Sequence, residues 1–210
     1  FLPIITRLIE EQSIGYHVLY ISPLKALIND QYERLLDMTS NTDVRVTAWH
    51  GDIAQSRKYK SLQSPSGILL ITPESLESLF VNRYEYLQSA FGNLKYIVID
   101  ELHSFIGTER GKQLQSLMSR AEFLCNKIVP RISMSATFSD FTVVKQFLRG
   151  DNYPCKIPPC NSIKQGVKIL LKGCGPSDEE STTSTYIAGD IFNKLRGTNN
   201  LVFCNSRQEV

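Results

Sequence analysis

Two carboxylates stand at the end of the most apolar run in the chain: Tyr96, Ile97, Val98 and Ile99 lead directly into Asp100 and Glu101. Acids at the mouth of a buried segment lose hydration unless a cation meets them. A magnesium ion held through Asp100, with Glu101 polarising an attacking water, gives the pair a purpose, as strand-end acids have in enzymes built around a phosphate-binding loop. A solvated acidic turn ahead of a helix is the alternative for the same two residues. His103 follows closely; taken alone it reads as a polar loop residue.

Other polar groups also fall just after apolar runs: Ser22-Pro23-Leu24-Lys25, Gly51-Asp52, Thr72-Pro73-Glu74 and Ser135-Ala136-Thr137. Ser22-Pro23 and Thr72-Pro73 each read as a hydroxyl N-cap followed by proline at the first helical position, where its missing N–H costs nothing. Two helix N-termini on one edge present free N–H groups and partial positive charge, which suits phosphate oxygens. Lys25, one turn inside the first, adds a full charge. Read singly, these are helix starts and a surface lysine.

The elements that must position these groups alternate. Short runs rich in Val, Ile and Tyr, at about 17–22, 44–50, 67–72, 96–101, 131–135 and 201–205, are candidate buried parallel strands. Candidate helices lie between them at about 24–38, 54–62, 74–88, 110–126 and 140–148. The segment at 54–62 is polar enough to be a loop. Alternation of this kind predicts an α/β fold with a parallel sheet covered on both faces. In such sheets ligands bind beyond the carboxyl ends of the strands, where all these polar groups would gather.

Length and composition agree with that frame. The 210 residues allow one α/β unit and part of another, and 42% hydrophobic with 21% charged residues is the make-up of an ordinary globular protein. A net charge of +2 argues against a basic carpet, so nucleic-acid binding would need a local groove. No apolar run approaches the roughly 20 residues of a membrane span, and no signal peptide opens the chain, which reads as cytoplasmic. The five cysteines, Cys125, Cys155, Cys160, Cys174 and Cys204, have no disulfide rhythm and read as reduced thiols. Cys155, Cys160 and Cys174 lack the spacing and the fourth ligand of a zinc site.

Residues 1–150 read as the first domain and 151–185 as a connecting segment, whose stretch GCGPSDEESTTST at 173–185 is polar and turn-forming. Residues 186–210, with a helix at about 186–196 and the strand at 201–205, read as the start of a second α/β unit. Leu2, Ile5, Leu8 and Ile9 recur at helical spacing from the first position, as if the chain opened inside a helix of a longer protein.

Taken in order, the segments resemble the motifs of superfamily-two helicases along nearly the whole chain. SPLKAL at 22–27 resembles motif Ia, TPESL at 72–76 motif Ib, DELH at 100–103 motif II of the DExH type and SAT at 135–137 motif III. LVFCNSR at 201–207 is similar to motif IV. WHGD at 49–52 and the run from DELH to ERGKQL resemble the large helicase-related (Lhr-like) branch. The resemblance implies a RecA-like sheet and the start of a second RecA-like domain, with ATP and magnesium between domains and single-stranded or partly duplex DNA or RNA crossing the other face. It implies that Ser22, Pro23, Lys25, Gly51, Asp52, Thr72, Pro73 and Glu74 line the strand path. It further implies that Asp100 and Glu101 handle magnesium and water, that His103, Ser135 and Thr137 couple hydrolysis to motion, and that Ser206 and Arg207 belong to the second domain.

No GxxxxGK[ST] phosphate loop occurs in these 210 residues, so the chain by itself is expected to be inactive. Two rival readings stand beside the motor. A dinucleotide-binding dehydrogenase is suggested by Gly173-Cys174-Gly175, yet this GxG lacks the third glycine and leads into a polar stretch. A non-catalytic RecA-like clamp or interaction module would share the fold but would not need an acid that activates water.

Overall fold

The computed structural model describes residues 1–10, 13–135, 140–150, 153–158, 170–173 and 180–203. The chain divides into two compact units, Phe1–Ile157 and Pro158–Val210.

The first unit is built on five parallel strands: β1 (Gly15–Ile21), β2 (Val46–Trp49), β3 (Ser66–Ile71), β4 (Tyr96–Ile99) and β5 (Arg131–Ser133). Their spatial order is β2-β3-β1-β4-β5. Every residue of β1 is buried, because β3 and β4 flank it and helices cover both its faces. Its side chains part in alternation: Leu19 and Ile21 join one core, Val18 and Tyr20 the other. A bulge between Tyr16 and Val18 breaks the period and sends Tyr16 to the same core as Leu19.

Helices α1 (Leu2–Glu10) and α2 (Lys25–Thr39) bury Ile5, Leu8, Ile28 and Leu35 on the face of Val18 and Tyr20. The other face is covered by α3 (Gln55–Gln63), α4 (Pro73–Asn82), α5 (Tyr84–Phe91), α6 (Glu109–Cys125) and α7 (Phe141–Leu148). Along α6, which falls where a helix was expected at 110–126, Leu114, Leu117, Met118 and Ala121 are buried at helical spacing. The polar segment at 54–62 is helix rather than loop, held by the burial of Lys58 and Leu62.

Four expectations need correction. The helix expected over 74–88 is two helices, α4 and α5, broken at Arg83. An unbroken helix would set position 83 on the buried face that carries Leu76, Leu79, Phe80 and Leu87, and the break keeps a guanidinium out of the core. The helix expected from about 24 starts at Lys25 with Leu24 as N-cap, so Ser22-Pro23 does not cap it. Ser22 instead continues the β ladder, its N–H donating to Ile71 O at 3.2 Å. In the second unit, α8 (Glu180–Leu195) starts ahead of the expected 186. Residues 201–203 there form no strand, and Leu201 and Phe203 lie exposed with no neighbouring strand among the described residues.

Helix α6 is pinned at both ends. Thr108 caps it, its hydroxyl accepting from Gly111 N at 3.0 Å, and Asn126 ends it in the left-handed conformation. Only glycine fits at 111, since a Cβ there would stand 1.9 Å from Phe105 O. At the far end Glu122 receives Arg131 of β5 (2.8 Å) and Arg149 after α7, tying the edge strand to two helices. Burial opposes ionisation of Glu122, but the two guanidiniums outweigh it and hold its carboxyl below the usual carboxylate range.

Candidate nucleotide and nucleic-acid edge of the sheet

The carboxyl ends of β1, β2, β3, β4 and β5 open on one edge, and that edge gathers the polar groups singled out from the sequence. At its centre Asp100 follows β4. Its parity along the chain is that of Tyr96 and Val98, so it shares the face of Tyr20 on β1. The Tyr20 hydroxyl donates to Asp100 Oδ2 at 2.5 Å, and the N–H of Glu101 donates to Asp100 Oδ1 at 3.0 Å. Burial and the adjacent carboxylate push the Tyr20 hydroxyl up, so it remains a proton donor that orients Asp100.

Glu101 sits in the left-handed region at φ 47° and ψ 47°, where a side chain with a Cβ costs about 1–2 kcal/mol. This conformation turns the chain out of β4 into a short 3-10 turn over Leu102–Ser104. It is held by Leu102 N donating to Met134 O at 3.0 Å and by Ser104 N donating to Glu101 O at 2.9 Å. The turn brings His103 back over the acid: its Nδ1 lies 3.2 Å from Glu101 Oε2 and 2.8 Å from Ser135 Oγ. One imidazole thus joins the end of β4 to the end of β5. Ala136 and Thr137, and likewise Ser206 and Arg207, lie outside the described residues.

On the other side of β1, the loops after β1, β2 and β3 converge. Lys25 Nζ donates to Asp52 Oδ1 at 2.8 Å, and this hydrogen bond and charge hold the Asp52 carboxyl below its usual value. Gly51 leaves room for that reach, since a Cβ there would come within 3.1 Å of Lys25 Nζ. His50 is buried beneath them, its Nε2 2.9 Å from Asn29 Oδ1, and burial keeps the ring below its usual pKa. Thr72 does cap α4 as the sequence led us to expect, accepting from Ser75 N at 3.3 Å with Pro73 next in the chain.

Glu74 is taken by Arg110 in a two-pronged pair, Nε to Oε1 at 2.5 Å and Nη2 to Oε2 at 3.0 Å. The same Nη2 donates to Pro23 O at 2.7 Å, and the guanidinium lies 5.4 Å from the Phe105 ring centroid. Arg110 therefore fastens the loops after β1 and β3 to the start of α6. Lys25, Asp52, Glu74, Glu101 and His103 reach solvent, while Ser22, Pro23, Thr72 and Pro73 are buried and shape the loops from within.

Sequence reasoning missed Arg110, Tyr20 and Asn29 as parts of this edge. Arg110 carried a signal, since a helix capped at Thr108 places its first-turn side chains at the carboxyl edge. Tyr20 carried one too: a phenol inside a fully buried strand needs a partner for its hydroxyl. Asn29 lies on a helix with no such mark. Trp49, the first residue of the WHGD segment, is buried in the core.

Comparison with known proteins adds to this geometry. The DEAD/DEAH box helicase family matches residues 1–145, a stretch containing every strand of the sheet. The ATP-dependent helicase Lhr-Core of Methanocaldococcus jannaschii is 31% identical over 209 residues, covering 91% of this chain and 24% of that protein. The Lhr helicase/uracil glycosylase of Escherichia coli is 28% identical across 90% of the chain and 14% of its own length. The chain thus spans about a quarter or less of these curated relatives. Among solved structures, the Mycobacterium smegmatis helicase Lhr bound to ssDNA and AMP-PNP aligns with a TM-score of 0.80 at 27% identity, over 99% of this chain and 28% of that one. The DUF1998 helicase MrfA bound to DNA and AMPPNP, 21% identical over 99% of this chain and 30% of its own, shares the fold with a TM-score of 0.72. A five-stranded RecA-like sheet ending in Asp100-Glu101-Leu102-His103, matched by that family along most of its length, means that the chain belongs to the DEAD/DEAH box helicase family, with its likeness there to the Lhr-like helicases.

Proposed function

We propose that this chain carries the first motor domain of an ATP-dependent helicase or translocase, working on single-stranded or partly duplex DNA or RNA. Residues 1–150 form the motor domain, 151–185 the connector and 186–210 the start of a second RecA-like domain. The division between the two compact units falls inside that connector.

The observation that carries this reading is the wiring of Glu101. A strained acid bound through His103 to Ser135 is poised to act on water and to pass its state to the next strand end. A passive clamp gains nothing from an acid held at that cost. Asp100 fits a magnesium ion: each oxygen accepts one hydrogen bond and keeps a second lone pair, and magnesium takes one or two carboxylates with phosphates and water supplying the rest. When bound, the ion would screen the phosphate charge of ATP. Tyr20 orients the carboxylate towards that position, Glu101 takes the proton side of the attacking water, and His103, Ser135 and Thr137 relay the change. Ser206 and Arg207 belong to the second domain in this reading.

The nucleic-acid path runs over the loops after β1, β2 and β3. Lys25 gives one N–H to Asp52 and keeps two for a phosphate. Gly51, Asp52 and Glu74 border the path, and Ser22, Pro23, Thr72 and Pro73 set its loops. The test is binding of single-stranded oligonucleotides by the chain, followed by fluorescence anisotropy at several salt concentrations. Lys25→Ala should weaken binding equally for unrelated sequences and lower the salt slope by about one. Unchanged affinity and slope would remove Lys25 from the path.

A further inference from the structure

A groove of about 750 Å³ runs between α3 and α4, and no carboxylate lines it among the described residues. Its walls include Trp49, Lys58, Tyr59, Ser78, Asn82 and Arg83. Lys58 is 92% buried, being 8% exposed, and its ammonium lies 5.8 Å from the Trp49 ring centroid with no carboxylate at ion-pair distance among the described residues. The cations of the sheet edge differ: Lys25 is met by Asp52 and Arg110 by Glu74. An ammonium on a largely buried stem, lying beside an indole and open at its tip to the groove, is placed to take an anion there. Burial pulls its pKa down, with the more distant Asp52 opposing.

Tyr59 supplies a ring beside that charge. It is 46% exposed and braced edge-on by Tyr86, with centroids 6.0 Å apart and Tyr86 Oη 3.3 Å from Tyr59 Oη. A ring fixed in this way loses little freedom when a flat partner stacks on it. Arg83 reaches the groove because the break between α4 and α5 frees it from the core. Trp49 ends β2 and leads directly into His50, Gly51 and Asp52, so the groove is continuous with the edge proposed to carry the strand.

We infer that the groove between α3 and α4 is a second nucleic-acid subsite, taking a segment of single strand that leaves the sheet edge at Gly51-Asp52. Lys58 and Arg83 meet its phosphates, and Tyr59 stacks on a base. Leu62 and Leu79 form the groove's floor, but two cations beside an exposed aromatic face, with no acid among the described lining residues, match a polyanion with flat bases. The inference rests on the nucleic-acid path proposed above and lengthens it.

Trp49 is the only tryptophan in the chain, so its emission reports on the groove directly. The chain is titrated with oligothymidylates of roughly 6 and roughly 15 nucleotides, lengths that bracket common single-strand site sizes. The longer strand should quench Trp49 and bind about fivefold to tenfold more weakly to Tyr59→Ala and to Arg83→Gln, while the shorter strand is unaffected. Tyr59→Phe keeps the stacking face and should bind as the parent does. Photocrosslinking of 5-iodouracil in the longer strand should map to Tyr59. Circular dichroism of each variant guards against loss of fold; Arg83 is exposed and Tyr59 about half so. Lys25-dependent binding with silent Trp49 and unchanged Tyr59→Ala and Arg83→Gln affinities would overturn the subsite alone. Absence of any binding to either strand would overturn the path and the subsite together. Quenching by an unrelated basic or acidic peptide, with none by oligonucleotide, would make the groove a protein-docking site and overturn the inference.

Discussion

Arg110 grips Glu74 with two nitrogens, Nε to Oε1 at 2.5 Å and Nη2 to Oε2 at 3.0 Å, across 36 residues of chain. Because Nη2 also donates to Pro23 O, one guanidinium sets the distance between two loops of the proposed nucleic-acid path. Burial raises the Glu74 pKa, yet hydrogen bonds from Arg110 outweigh it and keep the carboxylate ionised.

Lysine offers a point charge where this site uses a planar fork. Arg110→Lys should therefore lower stability by about 1 kcal/mol, a figure held down by the exposure of both partners, and should loosen oligonucleotide binding. A thermal double-mutant cycle with Glu74→Gln should return a coupling of about 0.5–1 kcal/mol. Strict additivity of the two substitutions would show that the pair does not fasten the loops.

The backbone at Glu101 predicts opposite effects on stability and chemistry. Glu101→Gly removes the left-handed penalty of about 1–2 kcal/mol and adds back about 0.5–1 kcal/mol of chain entropy, so its melting temperature should equal or exceed that of the parent. Glu101→Val puts a branched side chain at φ 47° and should melt clearly lower. If glycine destabilises as much as valine, the acid is not held under strain.

Much of this architecture was legible because buried parallel strands are continuous apolar runs; the five strands of the first unit lie where such runs occur. Asp100-Glu101, Thr72-Pro73 and the Gly51-Asp52 turn could be placed from their positions just after those runs. What stayed hidden depended on contacts between distant segments. Ser22-Pro23 looked like a helix cap, but Ser22 stays in the ladder beside Ile71 and α2 waits until Lys25. The break at Arg83 follows from which face meets the core, and the periodicity of 74–88 read only the face. Arg110 on Pro23 and Tyr20 on Asp100 span 87 and 80 residues, distances over which local pattern carries no information.

Glu122 predicts an acid limit for the first unit. Its folded pKa lies below the ordinary glutamate value of about 4.3, so its stabilisation is complete above that value and is lost as pH falls through the depressed one. Glu122→Gln should be less stable than the parent at neutral pH, because two largely buried guanidiniums lose their anion. The difference should shrink below about pH 4, as the parent carboxylate takes up its proton. A constant difference from pH 7 to pH 3, followed by urea unfolding, would contradict the ion-pair account.

The proposed activation of water by Glu101 for ATP hydrolysis is tested most directly by turnover in a protein that joins this chain to a phosphate-binding loop and a complete second motor domain. Release of phosphate is followed with saturating single-stranded DNA or RNA, for the parent sequence and for Glu101→Gln. Glutamine keeps the size and hydrogen bonding of the side chain and loses the charge that polarises water, so turnover should fall by about two to four orders of magnitude while ATP and oligonucleotide affinities stay within about twofold. Hydrolysis at the parental rate by Glu101→Gln would contradict the account.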